Sequence, residues 1–227
     1  MIDRTVEIPA DDVRLEGELI IPTDAGGVVV FAHGSGSSRH SPRNRHVAER
    51  IMDRGLGTLL FDLLTAEEES VDIYTRHLRF DISMLATRLA SATRWLKQEK
   101  IAEELEVGYF GASTGGGAAL VAAAELGDMV SAVVSRGGRP DLAADALPKV
   151  TAPTLLIVGE RDEDVLELNK QALARLRTTK QLQVVSGASH LFEEPGALDR
   201  VADLAASWFV EYLRPAVRSA STRGQGG

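Results

Sequence analysis

Leu105-Glu106-Val107-Gly108-Tyr109-Phe110-Gly111-Ala112-Ser113-Thr114-Gly115-Gly116-Gly117-Ala118-Ala119-Leu120-Val121-Ala122-Ala123-Ala124-Glu125 decides the fold. Its first six residues are apolar-rich and of strand type, and the run from Gly116 to Glu125 is a helix of small residues. Between them lies Gly111-Ala112-Ser113-Thr114-Gly115, a G-x-S-x-G turn pinched between strand and helix. Such a turn is tight enough that the residues two before and two after the serine must be small. It lifts the Ser113 hydroxyl clear of a sheet edge, where it can act as a nucleophile. The competing reading is a helix N-cap or a phosphate-cradling loop. Against it, the glycines lack both the Lys-Ser/Thr of a P-loop and the spacing of a dinucleotide fingerprint.

Outward from the turn, short apolar runs alternate with helical patterns. Residues 3–9 and 13–21 alternate as strands about Asp11-Asp12, an antiparallel pair at a sheet edge. Strands follow at Val28–Ala32, Gly57–Asp62, Val130–Val134, Thr154–Val158 and Leu182–Val185. Helices are expected near 43–54 and 78–99, on Val165, Leu168, Ala172 and Leu176, and on Leu198, Val201, Ala205, Trp208 and Tyr212. Continuous apolar strands separated by helices imply an α/β fold, with a mostly parallel sheet of about eight strands covered on both faces. Residues 1–213 read as one domain, and the polar, Gly-rich stretch from Arg214 to Gly227 as a disordered tail. The span from Ser135 to Ala152 is too short for a cap domain, so an open site is expected.

The chain of 227 residues carries a net charge of −8, which disfavours a nucleic-acid partner. It has no cysteine, which excludes disulfides, thiolate metal sites and a cysteine nucleophile. No apolar run approaches membrane-spanning length and the N-terminus lacks a signal-peptide pattern, so a cytoplasmic protein without membrane contact is expected. His40, His46 and His77 stand at no metal-ligand spacing, and no metal or organic cofactor is called for.

In parallel sheets ligands bind beyond the carboxyl ends of the strands, and the candidate residues all fall there. His190, after the last strand, is the candidate base for Ser113. Asp162, after the seventh strand, is the candidate acid that orients the imidazole, with Glu160 and Asp164 as competitors and a helix N-cap as its alternative role. The chain order Ser, acid, His suits a triad on this fold. The segment His33-Gly34-Ser35-Gly36 would supply one oxyanion donor, Ser35 with Gly34 and Gly36 as neighbours, and Thr114 the other. His33 is expected to brace that loop. Arg136 could meet a substrate carboxylate bidentately, a role open also to Arg79 and Arg43; ordinary solvated or paired arginines are the alternative. Glu67-Glu68-Glu69 reads as a solvated loop or helix start without a role.

Four segments together resemble the dienelactone hydrolase-like family of the α/β-hydrolase superfamily. They are His33-Gly34-Ser35-Gly36-Ser37-Ser38-Arg39-His40-Ser41-Pro42-Arg43-Asn44, Gly111-Ala112-Ser113-Thr114-Gly115, Gly159-Glu160-Arg161-Asp162 and His190-Leu191-Phe192. The similarity runs from the third strand to the last helix. It implies an α/β-hydrolase fold and hydrolysis of a small-molecule ester by Ser113, His190 and Asp162. Lactone or thioester cleavage, acyl transfer, or a binding protein without turnover are the alternatives. Dienelactone hydrolases proper use a cysteine where this chain has Ser113, so lactone specificity does not transfer with the resemblance. Relatives with this loop sequence are sometimes joined to a phosphoribosyltransferase-like domain, which this chain is expected to lack.

Overall fold

The computed structural model describes residues 1–213; the expected tail at 214–227 lies outside them. Eight strands form one sheet: β1 (Ile2–Ala10), β2 (Val13–Ile21), β3 (Gly27–Ala32), β4 (Gly57–Phe61), β5 (Glu106–Ala112), β6 (Ala132–Arg136), β7 (Thr154–Gly159) and β8 (Lys180–Val185). Their order is β1-β2-β4-β3-β5-β6-β7-β8. β2 pairs antiparallel with β1 and β4, and the other neighbours are parallel.

The core follows the pleat. Along β3, Val28, Val30 and Ala32 face one apolar cluster, and Val29 and Phe31 the other. The first cluster is closed by α3 (Ile82–Gln98), α4 (Thr114–Leu126) and α5 (Glu163–Arg175); the second by α1 (Pro42–Met52) and α6 (Ala197–Tyr212). β3, β6 and β7 are buried throughout and β5 from Val107 onward, which is why they read as unbroken apolar runs rather than alternating ones. β6 begins and ends two residues later than the expected strand, so Arg136 is its last residue rather than a loop residue.

The charged run at 67–69 opens a helix, α2 (Ala66–Thr75), capped by Thr65 and closed reciprocally by the Glu68 side chain. The expected helix from 78 divides into a 3-10 turn at Leu78–Phe80 and α3, separated where Asp81 caps Met84. The β6–β7 connection holds two short 3-10 turns, Pro140–Ala143 and Leu147–Lys149.

The chain leaves β3 for β4 on one side and later returns to β5 on the other. The loops after β3 and β5 therefore diverge at a topological switch point, where open parallel sheets form a crevice.

Candidate active site

Ser113 follows the last residue of β5 with φ 52° and ψ −122°, outside the regions L-residues ordinarily occupy. Holding a side chain there costs on the order of 1–3 kcal/mol, and the surroundings must impose it. Three backbone hydrogen bonds do so: Ser113 N–H donates to Arg136 O (3.2 Å), and Ser113 O accepts from Gly116 (3.0 Å) and Arg139 (3.0 Å). The flanking glycines are required by contact. A Cβ on Gly115 would stand 2.1 Å from Ala32 O, and one on Gly111 2.5 Å from Gly115 O. Larger residues would push α4 away from β3 or β5 away from α4.

Asp162 stands at the N-cap position of α5 but makes no side-chain cap. Its carboxylate instead accepts from His190 Nδ1, at 2.5 Å from Oδ2. With Nδ1 carrying the proton, Nε2 keeps the lone pair a base needs. Of its two competitors, Glu160 is engaged elsewhere, accepting from Ser186 Oγ (2.8 Å) and the Gly187 amide (2.6 Å).

The loop bearing His190 is gripped from a second side. Both Glu194 carboxylate oxygens accept the Ser189 amide at 3.0 Å. Those amide bonds hold the Glu160 and Glu194 carboxyls below the usual glutamate range. Gly137, at φ 50°, backs the imidazole: a Cβ there would lie 3.4 Å from His190 Nδ1. The clamp by Glu160 and Glu194 was not read from the sequence, because it links residues that no local pattern relates.

Ser113 and His190 line one cavity of about 230 Å³, with Gly34, Ser35, Arg43 and Arg136 among its other walls. Their side chains are not hydrogen-bonded to each other in this structure; such bonds commonly tighten only when substrate arrives. A larger cavity of about 650 Å³ lies beside the loop Gly36–Arg43, but Ser113, Asp162 and His190 take no part in its walls. Size alone would have pointed away from the triad candidates.

Thr114 opens α4, so its amide has no carbonyl partner within the helix. The Ser35 amide, the other expected donor, is given to Thr114 Oγ1 at 3.0 Å. The two are tied together, and the loop after β3 is pinned to the elbow. His33 braces that loop from below. Its Nε2 accepts the Leu63 amide (2.9 Å), and its Nδ1 lies 3.0 Å from Gly34 O. Burial lowers its pKa, which keeps the ring neutral.

The three arginines raised by the sequence separate. Arg79 is neutralised by Asp72 (Nε to Oδ2, 2.6 Å) and Glu69. Arg43 and Arg136 face the cavity. Among the described residues no group of three or more His, Asp or Glu side chains is arranged to hold a metal ion, and no helix is long and apolar enough to cross a membrane.

Comparison with known proteins bears on the fold. Residues 15–213 match the dienelactone hydrolase family. The structure of a dienelactone hydrolase from Anabaena variabilis is 61% identical, covers 94% of this chain and 99% of that one, and superposes with a TM-score of 0.92. An esterase from Pyrococcus furiosus shares the fold at 19% identity, with a TM-score of 0.74 over 93% of this chain and 92% of its own. A Mycobacterium tuberculosis protein carrying the name "Putative phosphoribosyl transferase" is 58% identical over 211 residues, which are 93% of this chain and 47% of that protein. The chain thus spans about half the length of the curated relatives it matches at this identity. On the family match and the Anabaena relative together, the chain belongs to the dienelactone hydrolase family and has its α/β-hydrolase fold.

Proposed function

We propose that this chain is a serine hydrolase of small carboxylic esters. The observation that carries the reading is the 2.5 Å hydrogen bond from His190 to Asp162, at the rim of a cavity walled by the strained Ser113. His190 Nε2 takes the Ser113 proton as the hydroxyl oxygen attacks the ester carbonyl carbon. The carbonyl oxygen becomes an oxyanion held by the Thr114 amide and the Ser35 amide, which turns from the Thr114 hydroxyl or is shared with it. The positive end of α4 adds to that stabilisation. As the carbon–oxygen bond to the alcohol breaks, His190 returns the proton to the leaving alkoxide. Water, deprotonated by the same imidazole, then releases the acid and regenerates Ser113.

The name of the longer mycobacterial relative adds no second reading. The stretch it shares with this chain is the one that matches the hydrolase family. Acyl transfer on the same machinery would show as an ester or hydroxamate product when methanol or hydroxylamine competes with water.

The test is turnover of p-nitrophenyl acetate. Ser113→Ala and His190→Ala are expected to lower kcat/KM at least ~10³-fold, and Asp162→Asn somewhat less. A Ser113→Ala protein that keeps most of its activity would remove the reading.

A further inference from the structure

Within α2 the buried residue is a carboxylate, Asp72. Val71, Ile73 and Tyr74 face solvent, while the Asp72 side chain is fully enclosed. A carboxylate taken out of water needs donors on the inside. Its Oδ1 accepts the Leu78 amide at 2.7 Å, and its Oδ2 accepts Arg79 Nε at 2.6 Å and the Arg79 amide at 3.3 Å. Burial opposes the charge, but the bonds from Arg79 and the two amides prevail, and the Asp72 carboxyl lies below the usual aspartate range. Glu69 takes another corner of the same guanidinium, with Oε1 3.4 Å from Nη2.

Asp72 and Glu69 thus orient the Arg79 fork, and its third nitrogen, Nη1, reaches the loop after β3. A Cβ added to Gly36 would stand 3.2 Å from that nitrogen. Gly36 has φ 68°, so a side chain there would be strained as well as crowded. Arg79 and Glu69 also help to close a cavity of about 10 Å³ whose other walls include Gly34, Ser35, Gly36 and Thr114. That is no more than the space of a single water, so guanidinium and loop pack closely. Arg79 is not among the walls of the catalytic cavity, and its influence on the reaction must pass through the loop.

We propose that Arg79 is a positioning residue for the oxyanion hole. Held by Asp72 and Glu69, it backs Gly36 and fixes the turn that aims the Ser35 amide. The inference rests on the hydrolase reading above. Ser35 would donate from its backbone, so only the conformation of a glycine-flanked turn sets where that N–H points. Thr114 Oγ1 steadies the amide at 3.0 Å, and Arg79 is the second prop. The ester carbonyl asks little of this donor, whereas the oxyanion depends on it.

The test separates kcat from KM for p-nitrophenyl acetate, well below the Tm of each variant. Losing one oxyanion donor outright costs ~10²–10³ in kcat, so a misaimed donor in Arg79→Met should cost ~10–100-fold, with KM nearly unchanged. Arg79→Lys keeps a cation for Asp72 and should recover part of the loss. Asp72→Asn loosens the fork and should lower kcat in the same way. The pH dependence of kcat/KM should stay that of the wild type in all three, because His190 and Asp162 are untouched. Phosphonylation of Ser113 by a fluorophosphonate, whose phosphoryl oxygen enters the same hole, should slow in the same order. An Arg79→Met protein with wild-type kcat, or one that raises KM alone, overturns the positioning role; wild-type turnover abolished by Ser113→Ala would then leave the hydrolase reading standing. Should the Met variant fail to fold, Arg79→Lys decides, and wild-type kcat in it overturns the role. A wild-type protein that cleaves no ester and takes no label refutes the hydrolase reading, and the positioning role with it.

Discussion

Arg88 and Arg136 are buried to nearly the same degree, 6% and 8% exposed, and have opposite surroundings. Arg88, on α3, forks onto both Glu68 carboxylate oxygens at 2.6 Å and donates to Leu63 O at 2.8 Å. That pairing pulls the Glu68 carboxyl below its usual range, and Glu68 in turn closes the N-terminus of α2. Among the described residues Arg136 has no such partner, only an aromatic ring and a second arginine beside it. The seam between α2 and α3 has its charges satisfied from within the chain. Among the described residues the cavity at the switch point does not, and the difference separates a paired buried arginine from an unpaired one.

The comparison breaks most visibly in thermal stability. Arg88→Met leaves Glu68 without its cation, at a cost of ~3 kcal/mol, and should lower Tm by ~6–12 °C. Arg136→Met replaces an unpaired cation by an apolar chain of similar length and should instead raise Tm, by ~2–6 °C. If both variants lose stability alike, Arg136 is held by contacts that make it a structural residue, and the contrast disappears.

How much of this was legible in the sequence depends on the range of the interaction. The elbow could be read because strand, turn and helix are contiguous, and because contact with Ala32 and between Gly111 and Gly115 leaves only small residues possible. The buried central strands were legible as apolar runs. α2 was not resolved: Val71, Ile73 and Tyr74 are exposed, so the segment has no apolar stripe. Its one local signal was Thr65 followed three residues later by Glu68, a capping box. That Arg79 would be consumed by Asp72 while Arg136 would not could not be seen in a linear pattern. The same holds for Glu160, whose partners Ser186 and Gly187 lie on another loop.

The smallest effect concerns that loop clamp. Glu194 is half-buried, and its pKa is lowered by the Ser189 amide. A carboxyl whose folded pKa is depressed stabilises above its unfolded value of ~4.3, and the contribution is lost as pH falls through the folded value. Glu194→Gln should therefore lower Tm slightly at pH 7, and the gap to wild type should close below about pH 4. A gap that persists in acid would mean that Glu194 packs rather than binds the amide through its charge.

The central claim is that Ser113 is the nucleophile, and covalent labelling reads it most directly. A fluorophosphonate probe should add one label to the wild-type protein, mapped by mass spectrometry to the peptide containing Ser113, and none to Ser113→Ala. A label that survives that substitution, or a wild-type protein that cleaves esters while staying unlabelled, would contradict the account.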